Sequence, residues 1–351
     1  MSNYHESQKN RDDEFYTTLS MIEDELKHYK PHFKGKTVFC NCDDPYESNF
    51  FKYFAINFNH LGLKKLIATC YVTSPVMGTQ LALFEDMQQE IKLPSNPNKK
   101  PYKVEITEVT DENGDGAFDL SDIQQLLKSD KNVCTVLKGD GDFRSEECIE
   151  LLKESDIVVT NPPFSLFRDF IALLMKYNKQ FLFIGRGTAI TYKETLPLFM
   201  SNKLWLGWNS GHFWFRVPEY YEVKKTDFKI DETGQKWRRM GNISWFTNLD
   251  YPERYDSKPF WKHYTPEEYP KYDNYDAIEV SETKNIPCDY YGVMGVPTTF
   301  LNKWNPNEFE ILGSTRYHDG SWTANDINFI NGKGKFTRIL IRRKEQPNDG
   351  H

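Results

Sequence analysis

The chain has 351 residues, 38% of them hydrophobic and 27% charged, with a formal net charge of −7. That length and apolar content can bury one large core or two moderate ones, which excludes a disordered or fibrous chain. The acidic balance argues against a surface coated uniformly with basic residues for nucleic acid, and no apolar run is long enough to suggest a membrane span.

In chain order, Leu19, Ile22 and Leu26 recur at three- and four-residue spacing and predict a helix over 14–30. The run 37–42 predicts a first strand, on which Cys40 and Cys42 would share a face, with Asp43-Asp44-Pro45 as the loop after it. Phe50, Phe51, Phe54 and Phe58 predict the next helix and 64–70 a second strand. Strand, loop, helix, strand is half of a doubly wound α/β unit. Residues 73–130 then interrupt the pattern with polar sequence such as Pro94-Ser95-Asn96-Pro97-Asn98, read as an insertion with its own hairpin at 102–109. The run Asp111-Glu112-Asn113-Gly114-Asp115-Gly116 lacks the terminal Glu of a calcium loop and reads as a surface turn.

The sheet resumes at 133–137, followed by Gly139-Asp140-Gly141-Asp142-Phe143, a helix near 146–153 and a strand at 157–160. A further strand is expected at 181–185, and 213–217 and 242–247 read as paired strands bracketing Lys236, Arg238 and Arg239 around Trp237. Past Asn248 the chain is rich in Tyr and Pro, and most of its aromatic rings should be core. Between 333 and 344 stand six basic residues and no acid, among them Arg338, Arg342 and Arg343. Each basic cluster is either a solvated strand edge or a contact to phosphate. The six cysteines are scattered, with neither a second close pair nor histidines beside them in the sequence, so reduced thiols in a cytoplasmic protein and no metal are expected.

The most informative stretch is Ile157-Val158-Val159-Thr160-Asn161-Pro162-Pro163-Phe164, a buried strand ending in a rigid polar turn with an aromatic ring. An ordinary strand-closing turn is the plainer reading of the tetrapeptide. Leu166, Phe167, Phe170, Ile171 and Leu174 follow at helical spacing, which puts Asn161 at the carboxyl end of a strand, where ligands sit in open α/β sheets. The composition of the turn suits methylation of a nucleobase amine. That amine is a poor nucleophile because its lone pair is delocalised into the ring, so both of its hydrogens must be held and its nitrogen drawn toward tetrahedral geometry. The Asn161 oxygen is one acceptor and the Pro162 carbonyl, on a stiff arc, a second. Phe164 would stack on the base. A sulfonium methyl donor supplies its own leaving group, so positioning and electrostatics suffice and no general base or nucleophilic cysteine is needed.

Glu14-Phe15-Tyr16-Thr17, Cys40-Asn41-Cys42-Asp43-Asp44-Pro45, Asn161-Pro162-Pro163-Phe164, Trp245-Phe246-Thr247-Asn248 and Gly295-Val296-Pro297-Thr298-Thr299-Phe300-Leu301 together resemble, in order, the motifs of the EcoRI-type adenine-N6 DNA methyltransferases. The resemblance spans roughly residues 12–345. It implies a Rossmann-like S-adenosylmethionine-dependent sheet with helices on both faces, a catalytic domain over 1–250 and a C-terminal target-recognition region over 251–351. It further implies that Phe15, Tyr16 and Thr17 lie near the donor's methionine moiety and that Asn41, Asp43, Asp44 and Pro45 belong to the donor site, with Asp44-Pro45 shaping the loop after the first strand. Asp142 would accept from the donor's adenine amine, with Phe143 against that ring. This loop lacks the usual glycines, and Ser48 and Asn49 would supply hydrogen bonds in their place. Duplex DNA is the expected partner, with a flipped target adenine and phosphates on Lys236, Arg238, Arg239, Arg338, Arg342 and Arg343. A cognate restriction endonuclease is a possible companion. The alternatives are an RNA adenine or protein glutamine methyltransferase, or a catalytically silent DNA-binding relative.

Overall fold

The computed structural model describes residues 17–43, 45, 48–70, 101–109, 133–217, 225–323 and 327–345. Of the expected features, Phe15, Tyr16, Asp44 and the acidic run at 111–116 lie outside the described residues. The chain divides into two units, Met1–Arg186 with Asn209–Leu249, and Gly187–Trp208 with Asp250–His351.

At the centre of the first unit are four parallel strands in the order β2-β1-β5-β6: β1 (Thr37–Cys40), β2 (Lys65–Thr69), β5 (Ile157–Thr160) and β6 (Gln180–Arg186). Every residue of β1 and β5 is buried, as expected of inner parallel strands covered on both faces, and this is why TVFC and IVVT are apolar without alternation. Antiparallel strands flank this core. β3 (Tyr102–Ile106) pairs β2 and β4 (Val133–Val136) pairs β3; on the other side β9 (Lys236–Thr247) pairs β6, with β7 (Trp205–Arg216) and β8 (Phe228–Ile230) on β9. The result is a mixed α/β architecture built on a nine-stranded mixed sheet.

Helix α1 (Leu19–Leu26) is capped by the Thr18 hydroxyl, α2 (Asn49–Ile56) by Ser48 and α3 (Glu146–Glu154) by Ser145, and α4 (Phe167–Lys176) follows a short 3-10 turn at Phe164–Leu166. The second unit contributes α5 (Leu196–Met200) and a six-stranded sheet, β10 (Ile278–Glu279), β11 (Met294–Val296), β17 (Ile339–Arg343), β12 (Phe309–Ser314), β13 (Tyr317–His318) and β14 (Ser321–Trp322) in spatial order. A separate hairpin joins β15 (Phe329–Ile330) to β16 (Lys333–Gly334).

Three expectations need correction. The first helix stops at Leu26, and Pro31, which has no N–H to bond back, opens a new short turn at Lys30–Phe33. The first strand ends at Cys40, so Cys42 lies in the turn beyond it and the two thiols share no strand face. The stretch at 102–109 forms no hairpin of an insertion. Its strand is an inner member of the sheet, with Tyr102, Val104 and Ile106 buried and Glu105 taking Lys65 at 2.5 Å and Lys103 at 2.8 Å. The strand before Asp142 stands outside β3 and β2, and two antiparallel steps make it run in the same direction as β1.

Candidate active site

Although β4 is remote from β1, the loop after it returns across the strand ends. The Leu137 amide donates to the Pro101 carbonyl at 2.8 Å, and Gly141, at φ +79°, presses against the Cys70 backbone so closely that a Cβ there would collide with the Cys70 carbonyl. This brings Asp142 near Cys42, where its charge is felt. Three loops therefore meet: the one after β1, the one carrying Asp142, and the turn after β5.

A clamp of side chains ties the first and third. The Cys42 amide donates to Thr160 Oγ1 at 3.2 Å, Thr160 Oγ1 donates to one oxygen of Asp43, and Ser48 Oγ donates to the other at 2.7 Å. Ser48 Oγ also accepts from the amides of Phe50 and Phe51, so one hydroxyl caps α2 and pins the loop. A loop without glycines is thus held by an Asp gripped from two sides. Asp43 and Ser48, both expected at the donor site, thus also fix the loop backbone. Thr160 went unnoticed because its partner is 117 residues away in sequence.

Asn49 reaches back to the Thr17 carbonyl at 2.7 Å and fastens the N-terminal segment to this loop. Beside it, Thr17 Oγ1 and Asn41 Nδ2 are buried and lack a hydrogen-bond partner among the described residues. Buried polar groups in this state are costly unless a ligand satisfies them, so the residues present fit a bound donor with both accepting and donating groups. Pro45 lies in the turn between Asp43 and Ser48. Asp142 is gripped by Arg144, with Nη2 at 2.7 Å and Nε at 2.9 Å on its two oxygens, and Arg144 also reaches Asp169 on α4 at 3.0 Å. A ligand amine would compete with that guanidinium for Asp142. Phe143 is a core ring, edge-on to Phe170 at 5.3 Å.

The turn itself emerges from the sheet as expected. Asn161, Pro163 and Phe164 are half-buried, Pro162 is buried, and the Pro163 carbonyl accepts from the Leu166 amide at 2.9 Å. The Pro162 carbonyl accepts no hydrogen bond among the described residues. Arg186, the last residue of β6, holds its guanidinium 5.6 Å from the Phe164 ring, a neighbour that no sequence pattern announced. Underneath, Phe167 packs on Gly185, where a Cβ would come within 2.5 Å of its ring, and on Phe246 at 5.0 Å. Burial, then the charges of Asp43 and Asp142, push the Cys42 thiol well up, so it stays protonated at neutral pH and is no nucleophile.

The basic clusters are less available than their spacing suggested. Arg338 is partly buried, with Nη2 2.6 Å and Nε 2.9 Å from Glu279, which also accepts from the Tyr272 hydroxyl. Arg343 lies 4.6 Å from the centre of the Phe309 ring, and Arg342 pairs with Glu310 at 2.6 Å. All three have protein partners within the second unit. On the β8–β9 hairpin, Arg238 bonds the Thr226 carbonyl at 2.5 Å, Arg239 stays exposed beside Asp227 at 3.7 Å, and Lys236 is half-buried. Lys229 stands over Trp214 at 4.7 Å and Trp237 at 5.6 Å.

No helix among the described residues is long and apolar enough to cross a membrane. The family model described as adenine-specific methyltransferase EcoRI matches residues 3–344. Among similar proteins, the type II methyltransferase M.EcoRI of Escherichia coli is 46% identical over 344 residues, covering 97% of this chain and 96% of that protein. The type II methyltransferase M.MgeORF184P of Mycoplasma genitalium is 36% identical, covering 98% of this chain and 100% of its own length. M.MpnI of Mycoplasma pneumoniae, also a type II methyltransferase, is 35% identical, covering 98% and 99%. No solved structure gives a significant match. Matched along nearly its whole length by the family model and by relatives of its own size, the chain belongs to the EcoRI family of adenine-specific methyltransferases.

Proposed function

We propose that this adenine-specific DNA methyltransferase transfers the methyl group of S-adenosylmethionine to the N6 amine of an adenine flipped out of duplex DNA, with Asn161 and the Pro162 carbonyl as the two acceptors for that amine. The observation that carries the proposal is the meeting of the Asn161 turn with the loop after β1, joined through Thr160 and Asp43. When bound, S-adenosylmethionine supplies an activated methyl and its own leaving group. Thr17 Oγ1 and Asn41 Nδ2 are the groups we assign to holding it, on a loop kept rigid by Asp43, Ser48 and Asn49.

The chain's own residues then do the following. The Asn161 oxygen and the Pro162 carbonyl each accept a hydrogen bond from one amino hydrogen, which draws the nitrogen lone pair out of the ring and favours its attack; the extra proton on the methylated nitrogen then leaves to solvent. Phe164 stacks on the extruded base and offsets part of the few kcal/mol that flipping costs. Arg186, 5.6 Å from that ring, supplies a positive charge beside the stacking face. Within this reading the central sheet acts as a Rossmann-like donor-binding sheet and the second unit as the target-recognition region. The exposed Arg239, with Lys236, Arg238 and Lys229 on the β8–β9 hairpin, gives the phosphate contacts. The type II names of the relatives support a role beside a cognate restriction endonuclease, and duplex DNA as substrate fits the cytoplasm.

The test is a labelled-methyl assay with duplex DNA, RNA and glutamine peptides offered in parallel, followed by mass detection of the modified base. Label in duplex DNA alone, recovered as N6-methyladenine, is the expected result. Label in RNA or peptide, or none in any, rejects the proposal.

A further inference from the structure

In the second unit the structure assembles three metal-ligating side chains that lie 25 residues apart in sequence. His263 Nδ1 is 2.9 Å from Asp289 Oδ2 and 3.7 Å from Cys288 Sγ, and the three donor atoms all fall within 4.8 Å of one another. We propose that His263, Cys288 and Asp289 form a binding site for a single thiophilic divalent cation, zinc by its donor set, that fastens these two segments together.

The distances carry much of the argument. With metal–nitrogen and metal–sulfur bonds of about 2.0 and 2.3 Å, a tetrahedral site separates its nitrogen and sulfur donors by about 3.6 Å and its nitrogen and oxygen donors by about 3.4 Å. The His–Cys separation already has this value, and the His–Asp separation needs to open by about half an ångström, which exposed side chains can do by a small rotation. A mixed nitrogen, sulfur and oxygen set favours zinc over magnesium or calcium, which prefer all-oxygen ligands.

The backbone beneath is fixed independently of any ion. Lys262 and Pro287 form a parallel bridge, the Cys288 amide donates to the Lys262 carbonyl at 2.8 Å, and the Tyr264 amide donates to Asp289 Oδ1 at 2.8 Å. The Tyr264 and Tyr290 rings, next to His263 and Asp289 in the chain, pack 4.6 Å apart. The ligands therefore sit on a preorganised platform, and their exposure leaves the fourth position to water. The sequence hides this site because each ligand is distant from, or merely adjacent to, the next, with none of the paired spacing of a zinc finger.

Cobalt(II) is the probe, since a cobalt–thiolate bond gives a near-ultraviolet charge-transfer band. Titrating the full chain should produce that band with one ion per chain, and zinc should displace it. The band should be lost in Cys288→Ser and reduced at least tenfold in affinity in His263→Ala, yet persist in Cys42→Ser. Melting curves without metal should coincide for wild type, His263→Ala and Cys288→Ser, and zinc should raise the melting temperature of the wild type and of Cys42→Ser but not of Cys288→Ser. No band, or a band that survives Cys288→Ser or is unaffected by His263→Ala, overturns the proposal. So does loss of the band in Cys42→Ser.

Discussion

At the scale of single residues, the site depends on a hydroxyl that performs two tasks. Thr160 receives the Cys42 amide and donates to Asp43, coupling the loop after β1 to the turn holding Asn161. Thr160→Val keeps the shape and removes both bonds, leaving a buried amide and a carboxylate oxygen short of a partner. The expected loss is about 1–3 kcal/mol of stability in urea unfolding, together with slower methyl transfer at saturating DNA. An unchanged transfer rate would mean that the clamp is only structural. The Asn-Pro-Pro-Phe turn was legible because its composition departs from that of any ordinary strand or helix. The clamp was not, because hydroxyls and carboxylates that meet over a hundred residues apart carry no local signature.

At the scale of elements, inner parallel strands announce themselves. β1, β5 and β6 are buried almost throughout and read as unbroken apolar runs. Tyr-Lys-Val-Glu-Ile alternates, a pattern equally suited to a peripheral hairpin; only its backbone pairing with β2 on one side and β4 on the other places β3 inside the sheet. The start of α4 depends on close packing of Phe167 against Gly185 in β6. Gly185→Ala forces that ring aside, and overpacking of this kind costs about 1–3 kcal/mol. Because the displaced ring lies three residues beyond Phe164, the variant should raise the KM for DNA while S-adenosylmethionine affinity stays near wild type. Equilibrium dialysis with labelled donor and steady-state kinetics check this. Equal loss of both would show that the packing supports the whole sheet and not the turn.

At the scale of the whole molecule, a net charge of −7 must coexist with binding to a polyanion. In the C-terminal cluster Arg338 is paired with Glu279 and Arg343 packs on an aromatic ring. Arg338→Met should therefore act on folding, costing about 3–5 kcal/mol in thermal unfolding by leaving Glu279 buried without its ion pair, with DNA affinity per folded molecule unchanged. Arg239→Ala should do the reverse: melting near wild type, weaker binding to any duplex, and a log–log salt slope shallower by about 1. If Arg338→Met instead flattens the salt slope, the C-terminal cluster touches phosphate after all. The reaction as a whole is tested most directly with Asn161→Ala, measured for single-turnover methyl transfer to duplex DNA and, in the same preparation, for S-adenosylmethionine binding. Transfer lost with donor affinity retained is the predicted result. Transfer that persists, or that disappears only because the donor no longer binds, contradicts the role given to Asn161.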